Sequence, residues 1–316
     1  MILITGGMGF IGLHTARALI DAGETVLVTR FRASRLPAFL EAERGTRFLD
    51  EAADVTAAHD LIDLALRHEV DGIVHLANPG FRPVSAAEDY RINMQGLINV
   101  LEAGRVAGVK RISVASSIAV YQGLPGGPFA EDAPLPMASH NTIEAYKKAQ
   151  EILAGHWADR TGVDVALLRI ASIYGPLYHS MVNAPARMLH AALQGLPGPL
   201  PHGTLPPPFA EDSLDLCHVA DCARGIAMVQ LAERLPHRTY NIGSGEAATN
   251  AALAAAVRAA VPGADIRVEP GRGPRHRPQV TMDLGRIGAD LGYRPRFTLE
   301  SGIADYAAWL RAGNPQ

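Results

Sequence analysis

Cysteine is nearly missing from this sequence. Of 316 residues only Cys217 and Cys222 carry thiols, five apart in an apolar stretch, and that spacing serves neither a disulfide framework nor a zinc site. Both are expected as buried free thiols in a reducing compartment, with no metal site. Long apolar runs are missing too. The opening "MILITGGMGFIG" turns into glycines after four apolar residues, too short for a signal peptide or a membrane span. A cytoplasmic protein with no membrane partner is expected. No run of Lys and Arg reaches five and the formal net charge is −3, which argues against nucleic acid as the main partner. There is no internal repeat. What is present is a composition of 48% hydrophobic and 19% charged residues, typical of a globular enzyme of one or two domains.

Short aliphatic runs alternate with longer helical patterns through the first 170 residues. "ILIT" 2–5, "TVLVT" 25–29, "GIVHLA" 72–77, "RISVAS" 111–116 and "DVALLRI" 164–170 read as strands. The stretches between them carry apolar residues at helical spacing, most ending in glycine. That rhythm predicts an α/β fold with a doubly wound parallel sheet. After Arg169 the pattern breaks into Pro/Gly-rich loops, short helices and isolated strands, which predicts a smaller lobe. The expected division is 1–170 for the nucleotide-binding domain and 171–316 for the substrate lobe. "RTYNIG" 238–243 is expected to return to the main sheet, so the lobe is discontinuous in sequence.

"ITGGMGFIG" sets Gly6, Gly9 and Gly12 directly after the first strand and at the mouth of the first helix. Such a turn lets backbone approach a pyrophosphate, which the helix N-terminus then meets with free N–H groups and a positive dipole end. The G-x-x-G-x-x-G spacing and "GFIGLH" resemble the extended branch of the short-chain dehydrogenase/reductase family, of the NAD(P)-dependent epimerase/dehydratase type. Further matches run in order: "DVT" 54–56, "HLAN" 75–78, "NMQGLINVLEA" 93–103, "VASSIAVYQG" 114–123, "LLRIASIYGP" 167–176, "CHVADCARG" 217–225, "YNIGSG" 240–245 and "LGYRPRFTLESGI" 291–303. The resemblance spans essentially the whole chain and implies a Rossmann domain and a homodimer.

The resemblance also implies cofactor contacts. Gly6, Gly9 and the backbone at Phe10 and Ile11 would cradle the diphosphate, Asp54 and Val55 would flank the adenine, and Leu76 and Ala77 would line the path to the nicotinamide. An acidic residue at the end of the second strand would mark NAD. Here the sequence reads "TRFR", with Thr29, Arg30 and Arg32, and an arginine can pair with a 2′-phosphate. NADP is therefore favoured over NAD.

The reaction centre has a gap. Family members carry a catalytic tyrosine four residues before a lysine, a Glu four after that lysine, an aromatic ten after it and an Arg twenty-two after it. Glu151, Trp157 and Arg169 satisfy the last three for Lys147, and Lys148 satisfies none. Ile143 then occupies the tyrosine slot, and isoleucine cannot transfer a proton. Loss of a general acid/base costs roughly 10²–10⁴ in rate. Ser117, four before the Tyr of "VYQ", matches the family's hydroxyl for the reacting oxygen, and Lys147 would hold the nicotinamide ribose. Tyr146 is the best placed substitute by helical geometry. Glu144, His140, Tyr178 and His179 are further candidates.

In the second lobe, Arg277 of "RHRPQVTMD" matches the family's arginine for a nucleotide-sugar diphosphate, and Asn183 lies where the family touches the same substrate. The other diphosphate arginine is replaced by Leu214. The expected activity is an NAD(P)-dependent epimerase, dehydratase or reductase of a nucleotide sugar or related polar substrate, with Tyr178 and His179 as further substrate contacts. The alternatives are a dinucleotide-binding protein without redox turnover and a reductase of a small carbonyl compound.

Overall fold

Residues 1–31, 36–79, 84–203 and 205–313 are described in the computed structural model. The strands are β1 (Ile2–Thr5), β2 (Val26–Arg30), β3 (Phe48–Ala52), β4 (Gly72–His75), β5 (Arg111–Ser117), β6 (Val165–Ile170), β7 (Ser172–Tyr174), β8 (Ser213–His218), β9 (Thr239–Ile242) and β10 (Ala247–Thr249). The helices are α1 (Phe10–Asp21), α2 (Ala38–Glu41), α3 (Ala58–Arg67), α4 (Ala86–Tyr90), α5 (Gly96–Ala107), α6 (Thr142–Thr161), α7 (Ala184–Leu193), α8 (Val219–Leu231), α9 (Asn250–Ala260), α10 (Gly285–Leu291) and α11 (Leu299–Arg311).

One sheet has the order β3-β2-β1-β4-β5-β6-β9, with all of its pairings parallel. Helices cover both faces, which is why β1, β4 and β6 read as unbroken apolar runs rather than alternating ones. Leu13, Leu19 and Ile20 of α1 and Cys222 and Ile226 of α8 pack on one face. Leu61 and Leu64 of α3, Leu97 and Leu101 of α5 and Ala154 of α6 pack on the other. Strand order reverses between β1 and β4, with successive strands added on one side up to β3 and on the other from β4 onward, the point in such sheets where a crevice opens at the carboxyl ends of the strands. Thr5 and His75 face each other across it.

The second lobe has its own core, formed by Met188 and Leu189 of α7, Leu253 and Val257 of α9, and Ile303 and Tyr306 of α11. It also holds a three-stranded sheet of order β10-β8-β7, which its Pro/Gly-rich sequence conceals. β9 reaches back from this part of the chain to pair with β6. β3 carries no plain sequence signal either, because "FLDEA" is a half-buried edge strand with Asp50 and Glu51 at its centre. Between α4 and α5 the helix widens into a π turn over Arg91–Gln95. The Asn93 side chain, buried there, donates to Asp89 O at 2.9 Å and Asp89 Oδ1 at 2.8 Å.

Candidate active site

The glycine loop is built for two purposes. At Gly6, φ is +71° and a Cβ would lie 2.8 Å from the Ala77 backbone, while a Cβ at Gly12 would lie 2.5 Å from Gly6 O. These two glycines are required by packing within the protein. Gly9 differs: the nearest atom to its Cβ would be Gly6 O at 3.2 Å, a contact that a small shift relieves. Its lack of a side chain keeps open the space in front of α1. Helix α1 begins at Phe10 with no side-chain cap and no acidic residue in its first turn, so the first amides of the helix face that space without a competing acceptor from a capping residue. A dinucleotide diphosphate fits this loop.

Where the family resemblance places the adenosine, the structure has a cavity of about 240 Å³ lined by Arg30, Phe31, Ala52, Ala53, Asp54 and Asp60. Arg30 Nε donates to Asp50 Oδ2 at 2.7 Å, so a carboxylate from β3 orients the guanidinium and offsets part of its charge. The Asp54 carboxylate turns back to accept from Thr56 N at 2.8 Å and Thr56 Oγ1 at 2.9 Å. Val55 packs on Gly96 of α5, and its carbonyl accepts from Asn99 Nδ2 at 2.9 Å. Arg32 lies outside the described residues. Toward the nicotinamide end, Leu76 N donates to Thr5 O at 3.0 Å, which fixes Leu76 and Ala77 beside the glycine loop.

α6 brings Lys147 onto the end of β5. Its Nζ donates to Ala115 O at 2.7 Å and to Gln150 Oε1 at 3.0 Å, and Gln150 Nε2 in turn donates to Asn93 O in the π turn at 2.8 Å. The π turn therefore exposes a carbonyl that anchors the glutamine holding the lysine. Burial lowers the Lys147 pKa to about 8, and the charge of Glu151 opposes this only in part. His75, 2.7 Å from Thr5 Oγ1 through Nδ1, is held neutral with its pKa lowered to about 3 by burial and by the Lys147 charge. Ser117 ends β5 and accepts from Ala119 N at 3.1 Å, which sets its hydroxyl at the mouth of the crevice, two residues beyond the carbonyl that Lys147 holds.

Ile143 is 43% exposed, an apolar side chain facing solvent on the first turn of α6. Tyr146 is half-buried, and its pKa is raised by burial and then by the neighbouring Asp89 and Tyr90 of α4. Glu144 is fully buried. Burial pushes its pKa up, but bonds from His140 N at 2.9 Å and Lys148 Nζ at 2.8 Å outweigh this and hold it ionised. Glu144 thus fixes the entry to α6 and is sealed from any substrate. His140 is exposed. Behind the site, Glu151 accepts from Ser116 Oγ and receives Arg169 through Nε at 2.9 Å and Nη2 at 2.7 Å. Arg169 Nη1 reaches Tyr121 Oη at 2.9 Å, which donates to Asn241 of β9 at 2.8 Å.

Across the crevice, the Tyr178 ring meets Phe10 edge to face at 5.2 Å, and its hydroxyl accepts from Asn183 N at 3.3 Å. Asn183 caps α7, accepting from Ala186 N and donating to Ile173 O, both at 3.0 Å. Its side chain is thus committed to the protein. His179 is exposed. Leu177 and Met181 in this loop have φ of +72° and +54°, and Gln279, two residues after Arg277, has +47°. Strained backbone in non-glycine residues gathers where ligands are held. Arg277 Nη2 donates to Gln122 Oε1 at 3.0 Å, with weaker contacts to the carbonyls of Tyr121 and Leu124, and its guanidinium lies over the Phe129 ring. Leu214 is exposed on β8. Sequence reading missed Gln150, which no motif marks, and Arg187, considered below.

A parallel sheet with its switch point at β1 and β4, an uncapped helix after a glycine turn and a half-buried α6 lysine seated on β5 define a dinucleotide-binding α/β protein. The sequence model described as the NAD dependent epimerase/dehydratase family matches residues 2–243. A dTDP-glucose 4,6-dehydratase of Actinoplanes is 30% identical over 98% of both chains. Among solved structures, MoeE5 in complex with UDP-glucuronic acid and NAD is 27% identical with a TM-score of 0.80 over 99% of both chains. The UDP-glucose 4-epimerase of Thermus thermophilus in complex with NAD is 25% identical with a TM-score of 0.80 over 98% of both. The chain belongs to the NAD dependent epimerase/dehydratase family.

Proposed function

We propose that this protein is an NAD(P)-dependent enzyme that transfers hydride to and from a nucleotide sugar, as an epimerase, dehydratase or reductase, with a proton carrier other than a tyrosine at position 143. The observation that carries the reading is the seat of Lys147 on Ala115 O, two residues from Ser117. Support for the substrate class comes from the relatives that act on or bind dTDP- and UDP-sugars and from Arg277, a half-buried cation held only by neutral acceptors. A guanidinium in that state suits a diphosphate.

When bound, the nicotinamide ring supplies the hydride acceptor and donor. The residues around it do the rest. Ser117 would hold the reacting oxygen, and Lys147 would hold the ribose and, with its pKa near 8, exchange a proton close to neutrality. Tyr146 is favoured in its protonated form by burial and then by Asp89 and Tyr90, so it suits proton donation to an oxygen rather than abstraction from one. Arg30 favours NADP over NAD, although the Asp50 pair reduces that preference and the solved relatives are complexes with NAD. Ile98 and Val106 of α5 and Ile152 and Leu153 of α6 are exposed on adjoining helices, which fits burial against a second copy in a homodimer. Free buried thiols suit a cytoplasmic setting, and among the described residues no helix is long and apolar enough to cross a membrane.

Titration of UDP and dTDP into the NAD-bound protein tests the substrate class. Binding is expected, and Arg277→Ala should weaken it about ten- to a hundredfold, the loss of one charge-assisted hydrogen bond. Absence of binding by the native protein would point to a small carbonyl substrate. The exposed Ile143 favours one second reading, a dinucleotide-binding protein without turnover, in which nucleotide binds and nothing is oxidised.

A further inference from the structure

Three arginines are buried among the described residues: Arg111, Arg169 and Arg187. Arg111 has the Asp164 carboxylate at 2.7 Å and the carbonyls of Val229 and Ala232. Arg169 has Glu151, Tyr121 and a carbonyl. Arg187, only 6% exposed, has nothing comparable. Its Nε is buried without an acceptor, and no hydrogen bond or ion pair from its guanidinium is formed among the described residues. Burial acts on it alone, with no acidic neighbour to offset the desolvation. A buried cation without a counter-charge is costly, and such groups persist where a ligand completes them.

The position of Arg187 says what kind of ligand. It lies on α7 one turn after Asn183, whose amide is bonded to Tyr178, the residue packed on Phe10 at the glycine loop. The chain 198–200 runs over the same helix face. Leu200 N donates to Arg187 O at 3.1 Å, and a Cβ on Gly198 would meet Ala191, four residues on, at 2.5 Å. The 198–200 segment therefore packs along α7 beside Arg187, on the helix that Asn183 ties to Tyr178. β8, where Leu214 replaces the arginine the family resemblance would place there, offers no cation at that position.

We propose that Arg187 is an anion anchor of the second lobe, taking a phosphate group of the substrate in a bidentate pair and so supplying a cation that Leu214 does not. A planar guanidinium fork matches two phosphate oxygens, which a lysine does not reproduce. The identification of that phosphate as part of a nucleoside diphosphate rests on the function proposed above. The presence of an anion site at Arg187 does not.

The test uses protein saturated with NAD, so that the glycine loop is filled, and titrates pyrophosphate, UDP and uridine into the native chain, Arg187→Lys and Arg187→Met. The native protein is expected to bind pyrophosphate and UDP. Arg187→Met should lose ten- to a hundredfold for both while uridine binding stays unchanged, and Arg187→Lys should recover only part. The melting temperature without phosphate ligands gives a second readout: Arg187→Met should melt higher than the native protein, because it removes a buried charge that no described residue pairs. Pyrophosphate bound by the native protein and lost in Arg187→Met, with no binding of UDP, would keep the anion site and remove the nucleotide-sugar reading. UDP affinity unchanged in Arg187→Met, or a lower melting temperature with unchanged affinity, would overturn the site and leave that reading standing. Binding of neither ligand by the native protein would overturn both.

Discussion

Lys147 on α6 and Ala115 on β5 are joined by a 2.7 Å hydrogen bond from Nζ to the backbone carbonyl. The bond places an ammonium toward the carboxyl end of the sheet whatever residue stands four positions earlier, so the seat of Lys147 does not depend on a tyrosine at position 143. Its energetic consequence is pH-dependent. The folded-state pKa of about 8 lies below the ordinary lysine value of 10.5, so between those values the unfolded chain binds more protons and stability rises with pH. The contribution is complete above the unfolded pKa and is lost as pH falls through about 8. Urea titrations of the native protein and Lys147→Met from neutral to alkaline pH should show the native chain gaining relative to the variant through that window. A constant difference would mean that Lys147 is not buried in this way.

The network behind the site carries a stability prediction. Arg169 and Glu151 are both buried and paired at 2.7 Å. Glu151→Ala leaves the guanidinium without its counter-charge and should cost about 3–5 kcal/mol in unfolding free energy. A loss below about 1 kcal/mol would show the pair to be solvated like a surface bridge.

Gly9→Val is expected to fold, because its Cβ meets only Gly6 O at 3.2 Å, and to lose nicotinamide cofactor binding. Circular dichroism and cofactor titration separate the two. Unchanged affinity would remove the diphosphate from this loop.

Arg30→Ala should weaken NADP more than NAD, since only NADP brings a 2′-phosphate to the Arg30 guanidinium. Asp50→Asn, which releases Arg30 from its partner, should strengthen the NADP preference. Equal losses of both cofactors in Arg30→Ala would mean that Arg30 serves only to tie β2 to β3.

What was legible in the sequence was local. The glycine loop is a strand, a turn and a helix start in consecutive residues, so its spacing announces that local geometry. Lys147 was identified by register, through Glu151 and Arg169, and those two residues pair in the fold. What stayed hidden depends on contacts between distant segments. Asp50 reaches Arg30 because β2 and β3 run parallel with Val28 opposite Asp50, and the weak apolar pattern of β3 gave no sign of that register. Gln150 gains its role from a π turn more than fifty residues earlier. Arg187 reads as an ordinary helical arginine until the described residues around it are seen to offer its guanidinium no partner.

Position 143 is where the two readings of the chemistry part. Ile143→Tyr would restore a phenol one turn before Lys147 at a modest stability cost of about 1–3 kcal/mol. If Tyr146 already serves, this substitution should add little turnover, and Tyr146→Phe should remove most of the native activity. The reverse pattern would mark a chain that binds its cofactor and has lost its proton carrier. Should both variants match the native protein in turnover, the proton comes from the second lobe, with Tyr178 and His179 the next residues to change.

The most direct measurement is the nicotinamide absorbance of the cofactor-loaded native protein after addition of dTDP- and UDP-sugars. Hydride transfer predicts a change in the reduced-nicotinamide band with at least one of these sugars and none with the free nucleoside diphosphate. An unchanged spectrum, together with sugars recovered chemically unaltered on chromatography although calorimetry shows them bound, would contradict redox turnover and leave a dinucleotide- and nucleotide-binding protein.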